Sequence, residues 1–334
     1  GHSARDTFQM LYDSKVPMEA KAFAVGLRVE HPQKLVNLSQ YGVEAPENLP
    51  PASYKLTARS EEGRGIYTFC MCPGGYVVNA SSEKGRLAVN GMSYSGRDGE
   101  NANSAVVVSV TPKDYGSSHP LGGLFFQRRL EERAYEVGKG KVPVEYYGDF
   151  KCEVKGKGHD IGRDNGGQER DLSRKSGGPV QAAGWESREA LQGGCVEEGY
   201  GQAGNCAEEP RGGVRETEYM PQIKGQWQFA PVHEIMPDAL NRAFIEGMEA
   251  FGRTVEGFAS DQVLLSGIES RTSSPVRIHR DGSGQSAIRG LYPCGEGAGY
   301  AGGITSAAMD GMRIAELIAG EYKPLEKRGM ESKK

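Results

Sequence analysis

The feature that most constrains this chain is a glycine-rich run near its C-terminus that joins an apolar segment to a helix. The run reads GLYPCGEGAGYAGGI and spans residues 290–304. Gly297, Gly299 and Gly302 have the G-x-G-x-x-G spacing of a dinucleotide-binding loop. A loop that opens a dinucleotide unit needs a second strand and an acidic residue after its helix. The sequence that follows, EYKPLEKRGMESKK, is too polar and too short to supply them, so we expect the run to close a nucleotide site whose first half lies upstream.

Two interpretations of the glycine run stay open at this point. Backbone N–H groups in such a loop can approach a ligand closely, and the start of the following helix carries partial positive charge that suits an anionic group. The spacing alone is weak support, because the chain contains 48 glycines and a tight strand-to-helix turn also needs glycine for packing.

Composition excludes several classes of protein. The 334 residues carry a formal net charge of -4 with both signs mixed, so no basic patch favours nucleic-acid binding. No apolar stretch approaches the roughly 18 to 20 residues of a membrane span. The 6 cysteines match neither a disulfide framework nor a zinc pattern, so we expect reduced thiols and no metal site. The length suits one large or two ordinary domains.

The first 150 residues predict a mixture of strands and helices. KAFAVGLRVEHP alternates apolar residues as a strand that Pro32 ends, and a short helix over 35–41 is expected to end at Gly42. Between Tyr54 and Thr111, short apolar segments separated by Gly-rich or Pro-Gly turns predict an antiparallel, β-rich unit. The segment LGGLFFQRRLEERAYEV then predicts a helix that packs on this sheet.

Residues 151–219 differ in composition from the rest of the chain. They are rich in glycine and charge, poor in aliphatic residues, and without helical or strand periodicity. Such a segment cannot bury enough apolar surface to offset the entropy of ordering. We therefore predict a disordered insertion that proteases cleave rapidly.

Helical periodicity returns after this segment. In DALNRAFIEGMEAF the stripe predicted to be buried consists of Leu240, Phe244, Met248 and Phe251. In the last helix, ITSAAMDGMRIAELIAG, the predicted buried face consists of Ile304, Ala308, Met312, Ala315 and Ile318.

The segment GLYPCGEGAGYAGGITSAAMDGMRIAE resembles the C-terminal flavin motif of FAD-dependent oxidoreductases of the glutathione-reductase structural class. Further blocks resemble, in order, one family of largely uncharacterised FAD-dependent dehydrogenases. These blocks are GHSARDTF, KAFAVGLRVEHPQ, QYG, YKLT, FCMCPGGYVVNASSE, NGMSYSGRDGENANSA, FQRRLE and ESRTSSPVRI. They cover most of residues 1–150 and 220–320, and together they are far more specific than any single glycine pattern.

The resemblance implies an α/β fold (a mix of α/β and α+β) in which a β-rich substrate domain is inserted into a Rossmann-like FAD/NAD(P)-binding domain. It also implies that the N-terminal βαβ unit, with the G-x-G-x-x-G loop for the ADP half of FAD, is absent from this chain. The expected division is 1–20 as part of the FAD-binding domain, 21–150 as the substrate domain, 151–219 as the insertion, 220–280 as the return of the substrate domain, 281–322 as the C-terminal FAD-binding strand, loop and helix, and 323–334 as a polar tail.

The cofactor implied by the resemblance is FAD. The residues expected to contact it are Gly295, Glu296, Gly297, Ala298, Gly299, Tyr300, Ala301, Gly302, Gly303 and Ile304. Glu296 stands where related flavoproteins often have aspartate, and its carboxylate is expected to accept bonds from the ribityl or pyrophosphate region, directly or through water. The N–H groups of Gly302, Gly303 and Ile304 are expected to face the carbonyl edge of the isoalloxazine and to favour negative charge on the reduced flavin.

No catalytic residue can be assigned from spacing, and the weak candidates are Cys70, Cys72, Cys294, Arg97 and Arg271. Cys70 and Cys72 could form a redox dithiol, but alternate positions on a strand place both side chains on one face, where small buried thiols are ordinary core. Cys294, beside the loop, is either an electron relay or a small residue at a strand end. Arg97 and Arg271 lie in polar loop or turn segments, which serve turns as often as substrates.

The resemblance, together with these patterns, implies a FAD-dependent oxidoreductase, a dehydrogenase that moves a hydride or electrons between the flavin and a small-molecule substrate. The alternative is a non-catalytic flavin-binding or assembly protein, or an inactive truncated fragment. Neither a nucleic-acid partner nor a membrane span is expected. A cytoplasmic location is expected, or an organelle stroma such as that of the chloroplast if a targeting segment precedes the chain. The sequence indicates neither the substrate, the electron acceptor nor the oligomeric state.

Overall fold

The structure is a computed structural model, and it describes residues 1–156 and 220–321. Its helices are α1 (Arg5–Asp13), α2 (Gln33–Tyr41), α3 (Gly122–Val137), α4 (Tyr147–Gly156), α5 (Asp238–Gly252) and α6 (Ile304–Glu321). Its strands are β1 (Met18–Ala20), β2 (Phe23–Pro32), β3 (Thr57–Arg59), β4 (Gly65–Cys72), β5 (Tyr76–Asn79), β6 (Val89–Met92), β7 (Asn101–Val110), β8 (Val142–Tyr146), β9 (Ile223–Lys224), β10 (Trp227–Phe229), β11 (Leu264–Glu269) and β12 (Val276–Ile278).

A seven-stranded mixed sheet with the order β10-β8-β11-β2-β7-β4-β3 organises the fold. β10 and β8 run parallel, and the other neighbouring pairs run antiparallel. The two longest strands, β2 and β7, pair along their whole length, with Phe23 opposite Val110 and Pro32 opposite Asn101. The antiparallel strands predicted before Thr111 are confirmed: β3, β4 and β7 lie in this sheet, and β5 pairs with β6 in a three-stranded sheet of order β6-β5-β9.

One face of the large sheet buries the main apolar core. Val25, Leu27 and Val29 of β2 are fully buried in it, and α5 packs across β3, β4 and β7. Gly247 lets α5 approach closely, because a Cβ there would lie 2.3 Å from Ile66 Cγ2. The stripe predicted on α5 is confirmed, since all its members are buried: Leu240, Phe244, Met248 and Phe251.

The opposite face of the sheet is lined by small and charged residues. Ala24, Ala105 and Val107 form a small separate cluster there. Arg28 lies on the same face, because side chains alternate along β2 and Arg28 is directly opposite Ala105. Strand β6 packs over this face against β2, β4, β7 and β11. The face therefore brings charged groups under a second layer of backbone.

Helix α6 packs against the rest of the protein through only a small part of its surface. Ile314 is its buried residue, and a Cβ on Gly284 would lie 2.5 Å from Ile314 Cδ1. In contrast, Ile304 is 92% exposed, and Met309 and Met312 are each 66% exposed.

The buried face predicted for this last helix is therefore wrong. Its members are exposed or half-buried in the structure: Ile304, Ala308, Met312, Ala315 and Ile318. Helical periodicity identifies which residues share a face, but a face is buried only if another element covers it. Within the described residues no element covers this one.

A second, smaller core supports the glycine-rich loop. It joins α1, the β1–β12 pair and the start of α3, and its buried residues are Phe8, Val16, Met18, Leu121, Leu124, Val276, Ile278 and Ala298. Tyr300 packs against it from the loop. The loop thus rests on an apolar base of its own.

Two predicted segments fall largely outside the described residues. Residues 151–156, which we assigned to the insertion, belong to α4, and Val154 is buried. The remainder of the predicted insertion and the predicted tail 323–334 lie outside the described part of the chain. Among the described helices, none combines the length and apolarity that crossing a bilayer requires.

Candidate functional site

The loop at 295–304 is shaped by two glycines in the left-handed region. Gly295 has φ of 70° and Gly299 has φ of 87°. A Cβ on Gly299 would lie 2.4 Å from the carbonyl oxygen of Val276, so no larger residue fits there without moving the backbone. Gly295 and Gly299 are therefore required by turn geometry and close packing. For these two glycines the structure favours the tight-turn interpretation over close approach of a ligand.

Gly302 and Gly303 differ from those two glycines. They stand immediately before α6, and a Cβ on either would meet nothing within 4 Å. Neither has a positive φ. Packing and turn geometry therefore do not explain these two glycines. They leave open space at the N-terminus of an 18-residue helix, whose dipole favours negative charge. The Gly302 N–H makes only a long 3.4 Å hydrogen bond, to Ser306 Oγ in the first turn of the helix.

An ion pair ties the beginning of the loop to α6. Arg280 donates from Nη2 to Asp310 Oδ1 at 2.6 Å and from Nη1 to Asp310 Oδ2 at 2.9 Å. The Gly295 N–H donates to the same Asp310 Oδ2 at 2.8 Å. The Arg280 guanidinium lowers the pKa of the Asp310 carboxyl and also lies 3.6 Å from the centre of the Tyr300 ring. These two residues escaped the sequence analysis, which treated α6 only as an apolar helix.

Glu296 faces the N-terminal residues of the described chain. Its Oε1 lies 3.2 Å from His2 Nδ1, and His2 Nε2 is 2.9 Å from the carbonyl oxygen of Arg271. Both groups remain partly exposed. The Glu296 carboxylate is thus oriented by His2.

Arg271 belongs to a buried charge cluster. Its guanidinium donates to Glu131 Oε1 at 2.9 Å and Oε2 at 2.8 Å, and Arg5 donates to the same two oxygens. Despite burial, the hydrogen bonds from Arg271, Arg5 and Ser270 lower the pKa of Glu131 to about 2. This placement favours a structural role for Arg271.

Cys70 and Cys72 lie at a β-bulge. The pairing of β4 with β7 shifts register between Phe69 and Cys72, and Cys70 has φ of 48°. The bulge breaks the strand alternation, so Cys70 is exposed and Cys72 half-buried. They are therefore not the pair of small core thiols that strand alternation indicated. Partial desolvation by the surrounding protein raises the pKa of both thiols.

The remaining candidates are dispersed. Arg97 is exposed in a turn with φ of 50°, where its carbonyl packs against Gly74. Cys294 is exposed next to Gly295. Asn101 and Asn103 are buried in β7.

Arg28 donates from Nη2 to the Cys70 carbonyl at the bulge, at 2.9 Å. Partial burial raises the pKa of the Cys70 thiol, the Arg28 guanidinium lowers it, and the Glu269 and Glu296 carboxylates raise it. The turn between β11 and β12 bridges the sheet and the loop. Thr272 donates from its hydroxyl to the Ala24 carbonyl at 2.7 Å on the sheet side.

On the loop side of that turn, Ser274 Oγ lies 3.1 Å from the Gly297 carbonyl. The turn thus holds the glycine-rich loop beside the small-residue face of the sheet. Arg28 and the Cys70 carbonyl are in direct contact on the sheet, and Glu296 lies next to Gly297 in the loop.

Other site classes find no support in the described residues. They contain no group of three or more His, Cys, Asp or Glu side chains placed to hold a metal ion. A shallow surface pocket lies elsewhere, beside the end of α5, and its lining includes Glu249, Arg253 and Ser260. None of the loop, bulge or charge-cluster residues described above lines this pocket.

Comparison with known proteins gives one family match. The sequence model of the family described as "FAD-dependent protein, C-terminal domain-like" matches residues 22–164 and 193–272. A protein of Clostridium beijerinckii described as "Uncharacterized protein" is 41% identical over 327 residues. The alignment covers 96% of this chain and 51% of that protein, so the chain spans about half the length of this relative. The family match includes β2 to β11 but stops before the glycine-rich loop.

Proposed function

The chain belongs to the FAD-dependent protein, C-terminal domain-like family, and from that premise we propose that it forms part of a flavoprotein oxidoreductase. FAD is the cofactor of this family. In our proposal, residues 295–304 and the start of α6 hold the riboflavin side of FAD, and the sheet face beside them forms the substrate side.

The observation that carries this proposal is the empty space around Gly302 and Gly303. Neither glycine is required by a positive φ, and neither would clash if it carried a Cβ. A ligand that approaches the backbone closely at a helix N-terminus accounts for both. The residues therefore fit the polar carbonyl edge of a flavin.

The surrounding residues have positioning roles in this proposal. Arg280 and Asp310 hold Gly295 against α6, which fixes where the loop leaves the helix. His2 orients the Glu296 carboxylate toward the loop surface, where the carboxylate can accept a hydrogen bond from a ribityl hydroxyl of FAD. When bound, FAD supplies the two-electron redox chemistry, and the helix N-terminus favours the negative charge of the reduced ring.

The exposed face of α6 indicates that a further structural unit belongs beside it. Ile304, Met309 and Met312 form an apolar strip next to the proposed flavin site. Large exposed apolar patches mark interaction sites. We propose that a nucleotide-binding unit, which holds the ADP half of FAD, covers this strip, and the relative has about as much sequence again in which such a unit could lie.

The oxidoreductase proposal is tested with the protein expressed from the complete reading frame that contains this chain. The purified protein is scanned for flavin absorbance and then mixed anaerobically with NADH, NADPH or candidate organic substrates. Bound flavin that bleaches with a reductant supports an oxidoreductase. Bound flavin that no such compound reduces supports the flavin-binding or assembly protein instead. A folded, colourless protein contradicts both.

A further inference from the structure

His2 joins two segments of the candidate site through its two ring nitrogens. Its Nε2 lies 2.9 Å from the carbonyl oxygen of Arg271, and its Nδ1 lies 3.2 Å from Oε1 of Glu296. The His2 side chain is 15% exposed and the Glu296 side chain is 25% exposed. Both contacts are therefore largely shielded from water, and they link the glycine-rich loop to the turn between β11 and β12.

Both ring nitrogens of His2 face hydrogen-bond acceptors. A peptide carbonyl oxygen only accepts hydrogen bonds, so Nε2 must carry a proton to bond the Arg271 carbonyl. A carboxylate also only accepts, so Nδ1 must carry a proton to bond Glu296. A neutral imidazole has a single N–H and would turn a lone pair toward one of these two oxygens. The pair of His2 and Glu296 therefore holds one proton more than a neutral imidazole beside a carboxylate.

Two other histidines have contacts that favour the neutral ring. Nδ1 of His119 accepts the Leu121 N–H at 3.1 Å, so protonation of this nitrogen would break that bond. Nε2 of His31 lies 2.8 Å from the Phe258 carbonyl, but its Nδ1 is buried without a hydrogen-bond partner among the described residues. Burial lowers the pKa of His31 to about 4. His2 differs from both because an acceptor faces each of its nitrogens.

The charged groups around the pair leave His2 as the direct partner of Glu296. The Arg271 guanidinium donates to both carboxylate oxygens of Glu131, and it is the backbone carbonyl of Arg271 that contacts His2. On its own segment, His2 adjoins the α-amino group of Gly1, which a peptide bond replaces wherever residues precede it. Among the described residues, His2 is the group that forms an ion pair with Glu296.

Two further groups respond to the Glu296 charge without bonding to it. Burial and the Arg277 guanidinium lower the pKa of Lys21, and Glu296 opposes this shift. Lys21 Nζ itself lies 3.4 Å from the Ala22 carbonyl. Burial raises the pKa of the Cys70 thiol, and Glu296 is one of the carboxylates that add to that shift. These groups belong to the surroundings of Glu296, but His2 alone among the described residues touches its carboxylate.

The protonation state of His2 affects how firmly the glycine-rich loop is held. Glu296 follows Gly295, whose N–H donates to Asp310, and precedes Gly297, whose carbonyl contacts the β11–β12 turn. Hydrogen bonds between charged groups are roughly twice as strong as neutral ones, so an imidazolium holds Glu296 more firmly than a neutral ring. When His2 loses its second proton, a lone pair faces an oxygen atom and one of the two contacts is lost.

We propose that His2 is the positioning residue of the glycine-rich loop and acts as an imidazolium that holds the Glu296 carboxylate in place. The loop is then held for its ligand only while His2 carries both protons, so its order depends on pH. The protonation of His2 and its effect on the loop rest on geometry alone. The consequence that FAD is held more tightly at the lower pH rests on the proposed function.

The first test is ¹⁵N NMR of the histidine rings in the protein expressed from the complete reading frame, at about pH 7. The His2 signals are assigned by their loss in His2→Gln. Both His2 nitrogens should give imidazolium shifts, whereas His119 should show one unprotonated nitrogen. Glu296→Gln removes the carboxylate and should return the His2 ring to its neutral form. A neutral His2 ring in the wild type would overturn the proposal.

The second test is amide exchange across 295–300, corrected for the intrinsic pH dependence of exchange. Protection in the wild type should fall about tenfold or more between about pH 6 and about pH 9, because His2 loses its second proton. His2→Gln carries no titrating group and should show low protection that does not change with pH. The matched control is His279→Gln, whose exposed pair with Glu19 lies outside the loop and whose profile should equal that of the wild type.

Circular dichroism establishes that each variant is folded, and Glu296→Gln carries the test if His2→Gln does not fold. Identical pH profiles in the wild type and in the folded site variants would overturn the proposal. Flavin content after dialysis at the two pH values separates this proposal from the proposed function. If His2 is an imidazolium and loop protection follows pH in a protein without flavin, the positioning role stands and the flavin proposal fails. Flavin held equally by the wild type and His2→Gln at both pH values removes the positioning role alone.

Discussion

Arg280 binds both carboxylate oxygens of Asp310, and through Asp310 it fastens the first residue of the glycine-rich loop to the terminal helix. Arg280 also donates to the Pro293 carbonyl at 2.9 Å. A single ion pair therefore determines where the chain turns from the segment before the loop into the loop itself. Any ligand held by residues 295–304 depends on this geometry.

Replacing Asp310 should loosen the loop. Asp310→Ala removes two charge-assisted bonds from Arg280 and the acceptor of the Gly295 N–H. Bonds to charged groups contribute about 1.5 to 3 kcal/mol, so we expect amide exchange across 295–303 to accelerate about tenfold or more. Hydrogen exchange with mass spectrometry measures this. Glu316→Ala, at an exposed position on the same helix, is the control, and equal exchange in both variants would contradict the account.

Glycines in the loop should differ in their effect on stability. Gly299→Ala forces an L-residue into φ of 87° and toward the Val276 carbonyl, which should lower the free energy of unfolding by about 2 to 4 kcal/mol. Gly302→Ala meets open space and should change it by less than about 0.5 kcal/mol. Denaturant unfolding measures both. A Gly302→Ala variant as unstable as Gly299→Ala would assign Gly302 a packing role.

Glu131 should be essential to stability because it is the shared acceptor of the buried Arg5 and the half-buried Arg271. Glu131→Gln removes the counter-charge that Arg5 and Arg271 share and leaves Arg5 only its longer pair with Glu83 at 3.5 Å, which should cost about 3 to 5 kcal/mol. The matched control is the neighbouring Glu132→Gln, whose surface pair with Arg86 is worth less than about 1 kcal/mol. The measurement is the melting temperature of each variant, which should be much lower for Glu131→Gln than for Glu132→Gln. Similar melting temperatures would show that the Glu131 cluster contributes little to the free energy of unfolding.

His31 should make the protein acid-sensitive. Its ring is buried against Phe258, and this burial lowers its pKa from 6.5 to about 4. Between pH 6.5 and 4, His31 is protonated in the unfolded chain but neutral in the folded protein. The free energy of unfolding therefore falls as pH decreases from 6.5 to 4. The shift corresponds to about 3 kcal/mol.

His31→Gln, which keeps a donor for the Phe258 carbonyl, removes this titration. Unfolding free energies of wild type and variant, measured at several pH values, should therefore converge toward acid pH. Parallel pH profiles would show that His31 does not titrate as described.

Local sequence patterns were sufficient for much of the fold. The alternation ending at Pro32 corresponds to β2, the helix before Gly42 ends with that glycine in the left-handed region, and the apolar stripe of α5 is buried. In each case the elements that bury these residues belong to the described part of the same chain. The apolar face that the sequence pattern predicts is therefore also the face that is buried.

The site was less accessible to sequence reasoning because its contacts are long-range. Nothing in the local pattern pairs Arg280 with Asp310 or Arg28 with Glu269, and the bulge at Cys70 depends on how β4 meets β7. Periodicity also failed for α6, whose apolar face has no covering element in the described residues. A charged residue inside an apolar strand, such as Arg28 in β2, was the one available signal.

The central claim is that a flavin lies against Gly302 at the start of α6. The most direct measurement is the flavin content of the protein expressed from the complete reading frame, compared between Gly302→Val and Gly282→Val. Both positions have open space and neither has a positive φ, so both variants should fold, but only Gly302 lies in the proposed site. We expect Gly302→Val to lose most of its flavin while Gly282→Val keeps a wild-type content. Full flavin occupancy in a folded Gly302→Val variant would contradict the claim.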